Sequence, residues 1–153
     1  MDTVRDDIYK FMSTTGIMTL STSEENKPWS CTVYYGLSED FTMYVVTDPD
    51  SKHGQHIQKN PNVAFSIFDS ATKVIDDKKG IQGQGTCVQV HDIVEATKGL
   101  MLWHRHNPGA ETKITVESIK KFVDTRIFKI SPNYIKFFAK ELYGESEYGE
   151  IEL

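Results

Sequence analysis

The connections between its apolar runs constrain this chain more than any other feature. Gly16–Thr22, Trp29–Leu37 and Phe41–Thr47 read as strands, joined by the polar turn SEENKP and then by the short loop SED. Neither turn can hold the dozen or more residues of a parallel crossover, so the three runs pair antiparallel. In the third run Phe41, Met43, Val45 and Thr47 share one face, and Thr42, Tyr44 and Val46 the other. Val63–Phe68, Gly80–Val90, Thr125–Ile130 and Tyr134–Ala139 bring the series to about seven strands, with Ser131-Pro132-Asn133 as the turn between the last two.

Helical signals are fewer. Val4, Ile8, Phe11 and Met12 lie at the spacing of one helix face across residues 2–14, and Gly16 follows where such a helix ends. Asp50 or Ser51 can cap a helix Lys52–Lys59, which Asn60-Pro61 stops. Asp92 can cap Ile93–Arg105, halted at Asn107-Pro108-Gly109, and a short helix is expected over Thr115–Phe122. Ser70–Lys79 reads as a polar loop. A doubly wound parallel sheet needs a helix after nearly every strand. The expectation is therefore a mainly β fold: an antiparallel barrel with accessory helices.

Charge placement narrows the function. The final stretch, residues 141–153, holds five Glu and no Lys or Arg, and reads as a solvated acidic tail outside a single domain of residues 1–140. Removing those five from the 22 acidic residues leaves 17 against 17 basic ones, so the body has no basic excess for nucleic acid. No apolar run approaches the roughly 18 residues of a membrane span. Two cysteines, Cys31 and Cys87, and a polar start MDTVRDDIYK without an apolar leader point to a cytoplasmic protein with reduced thiols.

The chemistry concentrates in VVTDPDSKHG, residues 45–54, where a strand ends, a polar turn follows and a helix begins. The free amides of a first helical turn favour anions, the Thr47 and Ser51 hydroxyls can donate to phosphate oxygens, and Lys52 supplies charge. The plainer reading is that Ser51 only caps the helix and Lys52 faces water. Because association costs roughly 4–15 kcal/mol, a phosphate held here needs a buried organic body attached to it, and a flat ring against a barrel wall would supply one.

The stretch VVTDPDSKHGQHIQKNPNVAFSIFD resembles the signature of the pyridoxamine 5'-phosphate oxidase-like, FMN-binding split-barrel family. The matching features are Thr47, Ser51-Lys52-His53, Asn60-Pro61 and the strand Val63–Phe68; PWSCTVYYG, GIQGQGTCVQVHD and RIFKISPNYIKFF resemble the flanking strands. The resemblance implies an antiparallel split barrel working as a homodimer, with FMN at the subunit interface. It implies that Lys52 and His53 hold the FMN phosphate, that Val46 and Thr47 meet the cofactor at the strand end, and that Cys31, Thr32 and Val33 flank the ribityl phosphate. It also implies that Gln82 reaches the flavin ring. The oxidases of this family carry Arg and Lys where Cys31 and Gly36 stand, and their late Trp and Arg have no match, which argues against oxidation of vitamin B6.

An FMN-dependent oxidoreductase using NAD(P)H or a small-molecule substrate is the first expectation, with no catalytic acid or base assignable. A noncatalytic flavin-binding or stress-related protein is the second. Some related split barrels bind haem, for which His53 or His104 would serve as axial ligand. Scattered histidines and two separated cysteines form no metal-site pattern, so no metal is expected. Gly80, Gly83 and Gly85 have the wrong spacing for a dinucleotide fingerprint and lie inside a strand pattern. Trp103 is expected to pack a helix on the barrel.

Overall fold

Glu25 and Asn26, with φ of 51° and 63°, make the two-residue turn of the first hairpin. That left-handed pair matches the twist of the strands it joins. The hairpin comprises β1 (Ile17–Glu24) and β2 (Lys27–Leu37), and both strands run into SEENKP, where a longer turn was expected. Pro28 is tolerated opposite Ser23 because β3 (Met43–Val46) pairs with β2 only at Tyr35–Leu37, leaving the other side of Pro28 without a ladder. β3 starts two residues later than expected, since Phe41 turns to a φ of 72° with its ring buried.

The computed structural model describes residues 3–111 and 126–153. Beyond those strands it contains α1 (Thr3–Thr14), α2 (Lys52–Lys59), β4 (Asn62–Phe68), β5 (Lys79–Gln89) and α3 (Ile93–His106). β6 (Ile127–Ala139), α4 (Lys140–Tyr143), a 3-10 turn Gly144–Ser146 and β7 (Tyr148–Glu152) follow. The expected helix Thr115–Phe122 lies outside the described residues.

The sheet order is β3-β2-β1-β4-β5-β6-β7, all antiparallel, and a further β3–β6 pairing closes six strands into a barrel. β6 makes the closure possible. It pairs along its length with β5; on its other edge Ile127–Ile130 pair with β3 and Tyr134–Phe138 with β7. The two strands expected on either side of Ser131-Pro132-Asn133 are thus one strand with a bulge. Gln84 faces Tyr134 and Gly85 faces Pro132, so Asn133 is the extra residue. A bulge accommodates a proline that cannot donate to a ladder, and Gly85 accommodates the bulge: a Cβ there would lie 2.2 Å from the Ser131 carbonyl.

The acidic end is also not a solvated tail. Gly149 and Ile151 face inward from β7 while Tyr148, Glu150 and Glu152 face out, so its carboxylates occupy the solvent half of a two-residue period. Ile151 joins the main core and the Tyr134 hydroxyl donates to Glu150.

Inward-facing Met18, Leu20, Val33, Tyr35, Phe65, Ile67, Ile81 and Phe137 fill the barrel, and Ile8 and Met12 of α1 plug one end. A second cluster of Tyr44, Val90, Ala96, Leu100, Trp103 and Ile127 seats α3 on the outside, as expected for Trp103. Two glycines permit that docking. A Cβ on Gly36 would fall 2.4 Å from the Trp103 amide nitrogen, and one on Gly99 would meet the Tyr44 ring at 2.6 Å. Gly36→Ala is expected to cost about 2 kcal/mol or more by forcing helix and strand apart; the urea midpoint measures it, and an unchanged midpoint would mean that α3 is not closely seated there.

Candidate functional site

Three polar contacts between α2 and the end of β1 fix where the helix points. Buried His56 meets the Thr22 hydroxyl at 3.0 Å, Lys59 donates to Glu24 at 2.7 Å, and the Asn60 amide donates to Ser23 at 3.1 Å. The Lys59 ammonium also holds the Glu24 carboxyl below the usual carboxylate range. The other end of α2 is set by its cap. Ser51 Oγ accepts from the Gly54 amide at 3.1 Å and donates to the Asp48 carbonyl at 2.6 Å. Glycine is required at position 54, where a Cβ would lie 2.6 Å from the carbonyl oxygens of both Asp48 and Pro49.

Thr47 follows β3 directly, and its amide donates to the Arg126 carbonyl at 2.9 Å, prolonging the ladder that closes the barrel. Its hydroxyl lies 2.6 Å from His53 Nε2. Burial, with a smaller push from His56 against an opposing pull from Asp48, lowers the His53 pKa below its ordinary value. Thr47 and His53 therefore form a neutral hydrogen-bonded pair near pH 7, rather than His53 acting as a second cation. Lys52 diverges from it: the ammonium sits 4.1 Å over the centre of the Trp29 ring, at the start of β2.

Of the predicted hydroxyl donors, Ser51 is committed to its cap, donating to the Asp48 carbonyl, and Thr47 is paired with His53, the imidazole tautomer deciding which of the two donates. Because Gly54 and Gln55 bond back to Ser51, the open donors of the first turn are the amides of Lys52 and His53, alongside the Lys52 ammonium.

The other predicted residues divide by strand face. Continuing the Tyr35–Val45 register places Thr47 beside Val33, so Cys31–Val33 do border the turn. Only Thr32 presents its side chain outward; Cys31 and Val33 pack into the barrel. Burial pushes the Cys31 thiol up to about 11 and Cys87 up to about 12, which leaves neither as a nucleophile at neutral pH. The Val46 side chain packs under α3 rather than toward α2. Gln82 is exposed on β5, aligned across the sheet with Thr32 through Thr19 and Ser66. Three strand spacings separate them, ~14 Å.

Sequence reasoning did not single out Trp29 or Gly54, and weighed His56 only among the scattered histidines that form no metal-site pattern. Nothing local pairs Trp29 with Lys52 or His56 with Thr22. Hollows of about 380, 390 and 220 Å³ sharing Tyr9 lie between α1, α3 and the Ser38–Phe41 turn, and one of about 260 Å³ lies beside Phe68 and Val74. Thr47, Ser51, Lys52 and His53 line none of the four. Among the described residues no cluster of His, Cys, Asp and Glu could hold a metal, and no helix is long and apolar enough to cross a membrane.

The family model described as pyridoxamine 5'-phosphate oxidase matches residues 4–139. No curated protein matches the chain in sequence. Among solved structures, a heme binding protein from Mycobacterium smegmatis is similar at a TM-score of 0.76 and 15% identity, covering 97% of this chain; the chain spans only 57% of that protein. General Stress Protein 26 from Bacillus anthracis str. Sterne is similar at 0.64 and 20% identity, covering 97% of this chain and 98% of that one. A NimC/NimA family protein from Clostridium acetobutylicum is similar at 0.69 and 13% identity, covering 99% and 93%. At such identities these likenesses show a shared split-barrel fold.

The lowered His53 pKa has a definite sign. Between the folded value and the ordinary 6.5 the unfolded chain binds the proton that the folded one refuses, so this contribution is present above about pH 6.5 and is lost as pH falls. Urea unfolding at several pH values is expected to show the wild-type protein losing more stability from pH 7 to 5 than His53→Gln. Equal losses would place the imidazole in solvent.

Proposed function

The chain belongs to the pyridoxamine 5'-phosphate oxidase family, and from that premise we propose that it binds FMN as a homodimer and works as an oxidoreductase. The observation that carries this reading is the donor set at the start of α2. Lys52 brings a full charge, the amides of Lys52 and His53 point out of the first turn, and the half-buried Thr47–His53 pair stands beside them. Those groups fit a terminal phosphate. Ser51 contributes by ordering the turn through its cap, and Val46 and Cys31–Val33 contribute backbone, with only Thr32 offering a side chain on the outer face.

The outer face of β1, β2, β4 and β5 supports the dimer. Its outward positions include Thr19, Ser21, Ser30, Thr32, Ser66, Gln82 and Gln84, edged by exposed Ile17, Tyr34 and Phe68, and none of its outward residues is charged. In a chain that is 25% charged, a broad face without charge has the composition of an interface core. Thr47, Ser51, Lys52 and His53 line none of the four hollows, which is in keeping with a site whose second wall a partner copy would supply. Gln82 shares that outward face with Thr32, which supports its proposed hydrogen bond to a flat ring sheltered there. FMN, when bound, supplies hydride and one-electron chemistry; the chain orients it and excludes water.

The reading does not extend to vitamin B6 oxidation. The backbone of α3 roofs Gly36, one of the positions where the oxidases carry a cation. A nicotinamide donor or a small-molecule acceptor, and a cytoplasmic setting with reduced thiols, complete the proposal.

Titration of the purified protein with FMN tests it. Wild type is expected to take up FMN with the flavin bands shifting, and Lys52→Ala to bind about tenfold or more weakly, the loss of one charge-assisted bond of roughly 1.5–3 kcal/mol. A Soret band on the isolated protein would favour haem instead, and no uptake of FMN would overturn the assignment. Flavin-dependent oxidation of NAD(P)H with an added acceptor distinguishes an enzyme from a flavin carrier.

A further inference from the structure

Trp29 belongs to neither apolar cluster and is 41% exposed, so packing of the core does not account for it. Its ring instead receives the Lys52 ammonium at 4.1 Å. Resting on the FMN reading above, we propose that Trp29 is the positioning residue for the phosphate-binding cation, holding Lys52 over its π face so that the ammonium meets the phosphate already ordered.

The kind of contact matters. Lys59, on the same helix, is neutralised by the Glu24 carboxylate, and Lys129 by Glu95. Lys52 follows Asp48 and Asp50 closely, yet among the described residues it makes no ion pair; Asp48 instead accepts from the Asp50 amide and, through its carbonyl, from Ser51. A carboxylate partner would cancel the charge and occupy N–H donors. An aromatic face does neither: it attracts the cation, restricts the four-carbon stem and leaves the donors for a stronger acceptor. At an exposed site the attraction is weak enough to yield to a phosphate, while the rotamer freedom that binding would otherwise remove is already reduced.

Geometry makes the pairing specific. Trp29 pairs across the hairpin with Thr22, whose hydroxyl anchors His56 of α2. The element that fixes the helix and the residue that receives Lys52 are therefore neighbours on one hairpin, and the helix cannot shift without breaking both contacts.

The test combines a ligand-free signal with binding. In the NMR spectrum of the free protein the Lys52 ε-methylene protons are expected upfield, under the indole ring current, and to return to ordinary shifts in Trp29→Leu. Trp29→Leu is expected to weaken FMN binding ~3-fold and leave riboflavin, which lacks the phosphate, unaffected; Trp29→Phe should recover most of the loss. Combining Lys52→Ala with Trp29→Leu should add nothing to Lys52→Ala alone. Equal losses for FMN and riboflavin, or additive losses in the double variant, would overturn the positioning role. If wild type binds FMN and Lys52→Ala weakens it while Trp29→Leu does not, the positioning role alone fails. If wild type binds no FMN, the flavin reading fails and takes this one with it.

Discussion

The pairing of β3 with the first half of β6 is the constraint on which the rest of this molecule depends. It joins the first strand in the sheet order to the sixth and turns an open sheet into a barrel with an enclosed core. The same ladder runs on through Thr47 to Arg126, so barrel closure also fixes the residue from which the turn into α2 departs. β6 can serve both β3 and β7 on one edge because a bulge at Pro132–Asn133 bends it between them. A proline that would break a central strand is here the mark of a strand shared between two partners.

From that closure the site follows in order. α2 leaves the barrel rim with its cap complete, docks on β1 through His56, Lys59 and Asn60, and sends Lys52 and His53 in different directions. Adjacent basic residues thereby acquire different electrostatic roles. His53 is drawn into a half-buried pair with Thr47 and loses basicity to desolvation, whereas Lys52 stays at the surface on an aromatic support. A single cation flanked by open amides is a smaller anion site than two adjacent cations would make. The proposed phosphate binding accordingly leans on Lys52 and on the shelter proposed for the ring at a partner copy.

α3 shows how the fold specialises. It is seated where Gly36 and Gly99 remove side chains from the contact, and its backbone occupies space above β2 that a longer residue at position 36 would need. α3 covers that face of the barrel only at the Tyr34–Gly36 end of β2, and the outward positions of β1, β4 and β5 beyond it carry no charge. That uncharged stretch is the one for which a partner copy is proposed.

The helix Lys52–Lys59 with a cap at Asp50 or Ser51, the helix beginning after Asp92, the two faces of β3 and the antiparallel pairing of the first three strands were all readable from residue order alone. Each depends on hydrogen bonds or periodicity spanning only a few residues. Tertiary structure decided what those local rules leave open. It made one strand of two apparent ones, drew an acidic end into the sheet because its carboxylates fall on alternate positions, and assigned the Thr47 hydroxyl to His53 and the Lys52 ammonium to Trp29. Those choices pair groups from different elements, and which partner a side chain reaches is set by how the elements pack, a quantity no short stretch of chain contains.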